Sequence, residues 1–388
     1  ATAINSTLSE SEMDARISGM ARGEYRLVYI APERFRSERF VRTLAPLSIA
    51  LFALDEAHCI SQWGHDFRPD YLRMRGALEE LGRPPVAAMT ATATPDVRRD
   101  IVTQLGLGSG GRAAPAVFVS GFARPNLVLS VRQVGGRDDK RARLFHAVER
   151  LGSGIVYCAT RKNVERVAGE LGDLGVPAIA YHGGMPDTER RAAQERFASS
   201  PRPVVVATNA FGMGIDRPDL RFVFHHDIPG SLEAYYQEAG RAGRDGQEAF
   251  CDLLFNFADV RTQQFFLDGA NPSPDVVRGV YAALVAACAR EPAEIDASTI
   301  ASRLPNRVND MAVSTSIVLL ERAGLVRRTY RGEHGDAAFD LPQPPVPPRS
   351  LPVDFEALAR KRRRDELRLA CMVRYAADRR CRHAAILD

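Results

Sequence analysis

The 388-residue sequence predicts an α/β protein: two parallel-sheet units, the first of them incomplete, then a winged-helix-like α+β segment and a C-terminal helical segment. Three observations carry that expectation. Apolar runs of strand length alternate with amphipathic windows of helix length, as in βαβ units. Several of these runs end abruptly in carboxylates or hydroxyls, at the edge where open parallel sheets hold ligands. The alternation breaks around Gly108 to Gly111 and again near Asp268, after which the pattern turns helical.

With 45% hydrophobic and 26% charged residues, the chain has the makeup of a soluble globular protein with room for two or three cores. No apolar stretch approaches the roughly 20 residues that cross a bilayer, and no basic-then-apolar leader opens the sequence, so a cytoplasmic location and no membrane partner are expected. The first residue is Ala1, on a stretch that reads as mid-domain, so a longer N-terminus is expected. Six cysteines without a Cys-x-x-Cys pair point to a reducing compartment rather than a disulfide scaffold. The net charge of +4 is concentrated: between Arg360 and Arg382 ten basic residues face three acidic ones. The chain has only three lysines, Lys140, Lys162 and Lys361, none preceded by Gly, so the sequence contains no Gly-Lys-Ser/Thr phosphate loop.

In order along the chain, a helix is expected over 11–23, a strand over 26–30, and a helix opening after Ala31-Pro32-Glu33-Arg34. The run Ile49 to Leu54 reads as a buried parallel strand delivering Asp55-Glu56-Ala57-His58 at its C-terminal edge. There one carboxylate can hold a hydrated Mg²⁺ while its neighbour orients or deprotonates a water. The bare pattern is equally an acidic strand-to-loop turn. The loop Ser61 to Tyr71 packs Trp63, Phe67 and Tyr71 around Arg68, a composition suited to stacking on exposed bases or to pinning a loop to the surface. Val86 to Pro95 reads as a strand ending in Thr90, Thr92 and Thr94, with Thr94-Pro95 a natural helix start.

The second unit begins near Gly121. Strands are expected at 154–158, 178–181, 204–208 and 222–224, with helices over 162–171 and 187–197. Its most informative passages are VVVATNAFGMGIDRPD, Val204 to Asp219, and YQEAGRAGRDG, Tyr236 to Gly246. Small residues let a loop lie close against phosphate, and Arg241 and Arg244, three apart, are expected on one side of a helix, placed to neutralise charge on a transferred phosphoryl group. From Asn271, helices over 275–290, 298–303 and 310–324 precede a hairpin of 325–330 with 337–341, the outline of a winged helix, which serves either DNA contact or protein docking. Leu341 to Pro352, rich in proline, reads as a stiff linker. Phe355 to Asp388 is helical and carries the basic cluster, a solvated face or a phosphate-contacting one.

Taken together, IAPERF at Ile30, LDEAHCISQWGHDFRPDY at Leu54, MTATATP at Met89, FARPNL at Phe122, GIVYCATRKNVE at Gly154, AYHGGM at Ala180 and the two passages above resemble the superfamily 2 helicases, most closely the RecQ family of ATP-dependent DNA helicases. The resemblance covers about two-thirds of the chain, up to Asp268. It implies two RecA-like lobes, 1–120 and 121–268; the residue pattern adds a winged-helix-like domain (271–341) and a linker (342–352), and 353–388 resembles the start of the family's zinc-binding helical module. By the same resemblance Asp55 holds the Mg²⁺ and Glu56 activates the attacking water, while His58, Thr90, Thr92 and Asp216 couple the sites. Trp63, Phe67, Arg68, Thr208 and Gly212 contact DNA, and Gln237, Arg241 and Arg244 complete the catalytic set, with Arg244 as arginine finger. The implied cofactors are ATP and Mg²⁺. The implied partner is single-stranded, forked or branched DNA, bound by a nucleoid-associated monomer that unwinds 3′ to 5′ in repair and recombination.

Three departures shape the expectations. Without the phosphate loop, this span is expected to bind ATP poorly and not to turn it over. Cys381 matches the first cysteine of the family's zinc module, and a structural zinc site needs four ligands, so zinc is expected only in a longer chain. The winged-helix-like segment precedes the zinc helices instead of following them, which leaves it either an inserted DNA-binding wing or a docking spacer. The alternative to a helicase is a non-catalytic DNA-binding or regulatory protein derived from one.

Overall fold

The computed structural model describes all residues except 6–7, 62–67, 112, 122, 213–214, 289–291, 307, 332–335 and 388, together with the side chains of 69, 330–331, 336–337 and 387. The chain divides into two compact units, Ala1–Phe122 and Ala123–Asp388.

The first unit runs β1 (Thr2–Ile4), α1 (Glu10–Ala21), β2 (Val28–Ile30), α2 (Glu38–Leu44), β3 (Phe52–Leu54), α3 (Met74–Glu80), β4 (Val86–Ala88) and α4 (Pro95–Leu105). Its strands pair in parallel as two separate two-stranded sheets, β1 with β2 and β3 with β4. The strands are shorter than the apolar runs that announced them: Leu51, and Leu27 before β2, are exposed and lie outside the pairing. Ile4, Phe40, Leu44, Leu54, Met74 and Leu105 form the core. Ser9 and Glu12 close a reciprocal capping box on α1, and Thr94 caps α4 ahead of Pro95, as the hydroxyl-proline pair predicts.

The second unit opens with β5 (Leu127–Gln133), α5 (Arg137–Leu151), β6 (Gly154–Tyr157), α6 (Arg161–Asp173), β7 (Ile179–Tyr181), α7 (Asp187–Ser199), β8 (Val204–Ala207), β9 (Phe222–His225), α8 (Leu232–Ala239), β10 (Ala249–Phe255) and α9 (Phe257–Ala270). All six strands are parallel, in the order β5-β10-β9-β6-β8-β7. Side chains alternate across the sheet: Ile155, Val205 and Val223 enter one core, Val156, Val206 and Phe224 the other. Strands β5 and β10 are additions to the expected set. At β5, on the sheet edge, Ser130 and Arg132 both bond the Asp252 carboxylate of β10, which breaks the apolar run.

One expectation is corrected here. Helix α8 ends at Ala239, and residues 240–246 form consecutive turns, with Gly243 at φ +55°. Arg241 and Arg244 therefore do not share a helical side. They leave successive turns, and both reach the 212–216 stretch, Arg241 at Gly212 and Arg244 at Asp216.

The chain continues through α10 (Pro274–Ala287), β11 (Ala293–Glu294), α11 (Ala297–Ser302), α12 (Asp310–Arg322), β12 (Arg327–Arg331) and β13 (Asp336–Asp340), then α13 (Phe355–Ala377) and α14 (Arg382–Leu387). The strand order β11-β13-β12 behind three helices has the connectivity of a winged helix. The proline-rich stretch is a strap rather than a free spacer: Val346 N–H donates to the Tyr281 hydroxyl at 3.0 Å, and Leu351 is buried in the same core. Helix α13 lays Met372, Tyr375 and Ala376 against Ile228, Tyr235, Leu253 and Phe255 of the sheet unit. Among the described residues no helix is long and apolar enough to cross a membrane.

Candidate nucleotide and DNA site

In the first unit, β3 delivers Asp55 and Glu56 into a tight turn. Asp55 is exposed, and its Oδ1 accepts the Glu56 backbone N–H at 2.8 Å, leaving Oδ2 directed away from that bond. Glu56 has φ +49° and ψ +41°, a left-handed conformation that costs a non-glycine residue about 1 kcal/mol or more and is found where function over-determines the backbone. Its Oε2 lies 3.3 Å from His58 Nδ1, and the same nitrogen lies 2.8 Å from Thr90 Oγ1. His58 is 1% exposed, so one buried nitrogen, Nδ1, faces both the Thr90 hydroxyl, which it hydrogen-bonds, and the Glu56 carboxylate. Backbone bonds lock the two segments together: Met89 N–H donates to Leu54 O and Ala57 N–H to Met89 O, each at 2.8 Å. Thr92 N–H donates to Thr90 Oγ1 at 3.4 Å, while Thr92 Oγ1 is buried without a partner. The Tyr71 hydroxyl donates to Asp55 O at 3.3 Å, and burial pushes it up to about 12. Arg68 is half-buried and its N–H donates to Cys59 O at 2.9 Å. Trp63 and Phe67 lie outside the described residues.

In the second unit, Thr208 follows β8 and is buried, with its N–H on Tyr181 O at 3.2 Å. The Arg241 guanidinium donates to Gly212 O. A Cβ at position 212 would stand 2.6 Å from Arg241 Nη2, so a side chain here requires the guanidinium end to move. Arg244 Nη1 donates to Asp216 Oδ1 at 2.9 Å. That pair is largely exposed and contributes little to stability, which leaves Arg244 free to exchange its partner. Gln237 is half-buried on α8, one turn before the arginines. The structure thus joins Glu56, His58 and Thr90 in one cluster and Gly212, Asp216, Arg241 and Arg244 in another.

Arg124 and Asn126, within FARPNL, hold the arginine-bearing turn by its carbonyls. Arg124 donates to the carbonyls of Gly240, Ala242 and Gly243, the last at 2.8 Å, and Asn126 Nδ2 donates to those of Gly243 and Gln247. A guanidinium and an amide flanking a proline was the available signal, since such groups cap carbonyls that no helix satisfies.

Two metal questions are decided by donor chemistry. Cys381 is exposed and precedes α14, outside any group of three metal-capable side chains among the described residues. The one such group is Cys158, His226 and Asp227, all buried, with ligand atoms within 4.8 Å of one another. The Lys140 ammonium already fills the cation position there, 3.6 Å from Asp227 Oδ1 and 2.6 Å from Asp259 Oδ2, and donates to His226 O. This is a charge-compensated core, not a metal centre. For Mg²⁺, the exposed Asp55 oxygen fits a water-bridged ion. For ATP the fit is partial: the hydrolytic edge is present, and the 388 residues hold no Gly-Lys-Ser/Thr cradle for the phosphates.

Gly212→Ala is expected to shift the flexible end of Arg241 off the Gly212 carbonyl and to cost under about 1 kcal/mol. Thermal melting of the variant against wild type checks it.

These features define a class: parallel α/β lobes of the DEAD/DEAH box helicase type. Residues 1–101 match the family described as DEAD/DEAH box helicase, and residues 139–246 match the Helicase conserved C-terminal domain. The fold is shared with Mycobacterium smegmatis helicase Lhr bound to ssDNA and AMP-PNP, at TM-score 0.54 and 19% identity over 87% of this chain and 47% of that one. A variant of S. cerevisiae Dbp5 bound to RNA and ADP BeF3 aligns at TM-score 0.50 and 21% identity, over 61% of this chain and 62% of that one. In sequence, the chain is 46% identical over 266 residues to the ATP-dependent DNA helicase RecQ of Bacillus subtilis, covering 68% of this chain and 44% of that protein. It is 40% identical to the Pasteurella multocida ATP-dependent DNA helicase RecQ, covering 66% of this chain and 40% of that one. The chain belongs to the RecQ family of superfamily 2 helicases. It spans less than half the length of these two relatives.

Proposed function

We propose that the chain is the greater part of the motor of an ATP-dependent DNA helicase, moving 3′ to 5′ on single-stranded, forked or branched DNA in repair and recombination. In this reading it works as a nucleoid-associated cytoplasmic monomer, with ATP and Mg²⁺ as cofactors and zinc only in a longer chain. The observation that carries the reading is the buried His58 nitrogen facing both Glu56 and Thr90, which supplies a physical route from a hydrolytic carboxylate to a hydroxyl-bearing strand. In the first unit Asp55 would hold a hydrated Mg²⁺ and Glu56 would activate the attacking water; in the second, Arg241 and Arg244 are the groups suited to neutralise charge on a transferred phosphoryl group. A second reading, a DNA-binding or regulatory protein without turnover, is favoured by one fact, the lack of a Gly-Lys-Ser/Thr loop in these 388 residues.

Trp63 is the sole tryptophan, so intrinsic fluorescence reports on its loop alone. Titration with single-stranded DNA is expected to quench it as bases stack on the ring, each stacked base contributing about 1–3 kcal/mol to binding. The binding constant should fall with salt at a slope of about −0.7 per phosphate contacted. Saturable binding without any change at Trp63 would remove this loop from the DNA contact. No binding at low salt would overturn both readings.

A further inference from the structure

We infer that residues 271–353 form a winged helix turned inward: the helix that such domains lay into the DNA major groove is here the docking helix onto the motor lobe, and the segment braces α13 instead of reading bases. In the order α10-β11-α11-α12 the third helix, α12, is the one that enters the groove in helix-turn-helix proteins. Here α12 faces α9. Thr315 Oγ1 donates between two carbonyls at 2.8 Å, Gly269 O across the interface and Met311 O on its own helix, and Asn309 Nδ2 donates to Phe265 O at 3.2 Å. The helices approach so closely at Gly269 that a Cβ there would lie 2.5 Å from Met311 Cε and 2.9 Å from its Cβ.

What remains of α12 facing solvent is Asp310, Ser314, Val318 and Arg322, a stripe with one cation, one anion and no amide side chain. That is a poor set for recognising base edges. The wing adds little charge, because Arg327 is paired with Asp340 at 2.7 Å and Arg328 with Glu321 at 3.1 Å. From Asn271 to Val353 the sequence carries nine acidic and nine basic residues, whereas a DNA-reading domain is basic.

The same end of α9 that receives α12 also receives α13. Arg362 bonds Asp268 at 2.7 Å, Lys361 Nζ bonds Asn271 Oδ1 at 2.8 Å, and Asn271 Nδ2 donates to Asp365 at 3.0 Å. Phe355 and Leu358 at the start of α13 pack into the winged-helix core. Displacing α12 therefore loosens residues 355–366, while the later half of α13 keeps its own contact with Tyr235 and Phe255.

The inference does not rest on the helicase reading, and its main test uses no DNA. Hydrogen exchange of the 388-residue chain carrying Gly269→Val is expected to rise tenfold or more in α12 and in 355–366, with β6, β8 and β9 unchanged. If that variant does not fold, Thr315→Val removes the bond to Gly269 at nearly constant volume and should raise exchange in the same two stretches by a few-fold. Unchanged protection of 355–366 in the folded variants overturns the brace. In a second arm, Ser314→Glu with Arg322→Glu is expected to change duplex DNA affinity less than twofold. A tenfold loss makes α12 a DNA reader and overturns the inference. If the wild type binds no DNA, the proposed function fails, and the exchange measurement still decides the brace.

Discussion

Lys140→Met is expected to destabilise the second unit by about 3–5 kcal/mol, the cost of leaving a buried charge without its partner. The side chain is 4% exposed, and its ammonium bonds Asp259 Oδ2 at 2.6 Å while standing 3.6 Å from Asp227 Oδ1. Both carboxylates already feel burial. At Asp259 burial wins and raises the carboxyl, despite the Lys140 bond. At Asp227 burial also pushes upward, but it is outweighed by the hydrogen bond from His226, the Lys140 ammonium and the Ala159 N–H, which together hold the group well below the usual carboxylate range. A depressed folded value means that the Asp227 contribution is complete above the unfolded pKa of about 3.9 and is lost as pH falls below it. Asp259 acts in the opposite sense and blunts that loss. Urea melts at neutral pH check the variant. Lys140→Met with Asp259→Asn, which removes one orphaned charge as well, should recover part of the stability. A loss under 1 kcal/mol for the single variant would show that the cluster relaxes to admit water.

What the sequence made legible, and what it hid, follows from how each segment meets its neighbours. Strands β6, β8 and β9 are covered on both faces, so their text is continuously apolar and their limits could be read to within a residue or two. Strand β5 lies at the sheet edge with Ser130 and Arg132 turned to Asp252, and its mixed text carried no comparable signal. The carboxylate turn at Asp55 was placed correctly after its strand, but the left-handed Glu56 was not foreseeable, because no glycine marks that position. For the arginine turn the marker was present and was overruled. Gly240 and Gly243 interrupt α8, yet a three-residue spacing read as a helical face. The winged-helix connectivity followed from three helices and a hairpin, whereas the burial of α12 against α9 depends on Gly269 and Thr315 meeting across 46 residues, a contact that no local pattern encodes.

The second large effect concerns nucleotide turnover. Purified 388-residue protein is expected to hydrolyse ATP at least 100-fold more slowly than the roughly 10 s⁻¹ typical of enzymes, with or without DNA. The reason is positional. Asp55 and Glu56 sit on a strained, hydrogen-bonded turn, ready to order and deprotonate a water, but in-line attack also needs the β and γ phosphates held by backbone amides and a lysine, and none of the three lysines stands in such a loop. In a chain that also carries a Gly-Lys-Ser/Thr loop, Glu56→Gln should lower kcat by about 10²–10⁴ with little change in KM, the signature of a general base that acts only in the transition state. His58→Ala in that chain should instead spare basal turnover and remove its stimulation by DNA, since His58 is buried between Thr90 and Glu56, behind the exposed Asp55. DNA-stimulated turnover at ordinary helicase rates by residues 1–388 alone would contradict the first statement and require a phosphate cradle of another design. A Glu56→Gln protein with unchanged kcat would move the general base elsewhere, and the strain stored at φ +49° would then lack a catalytic reason.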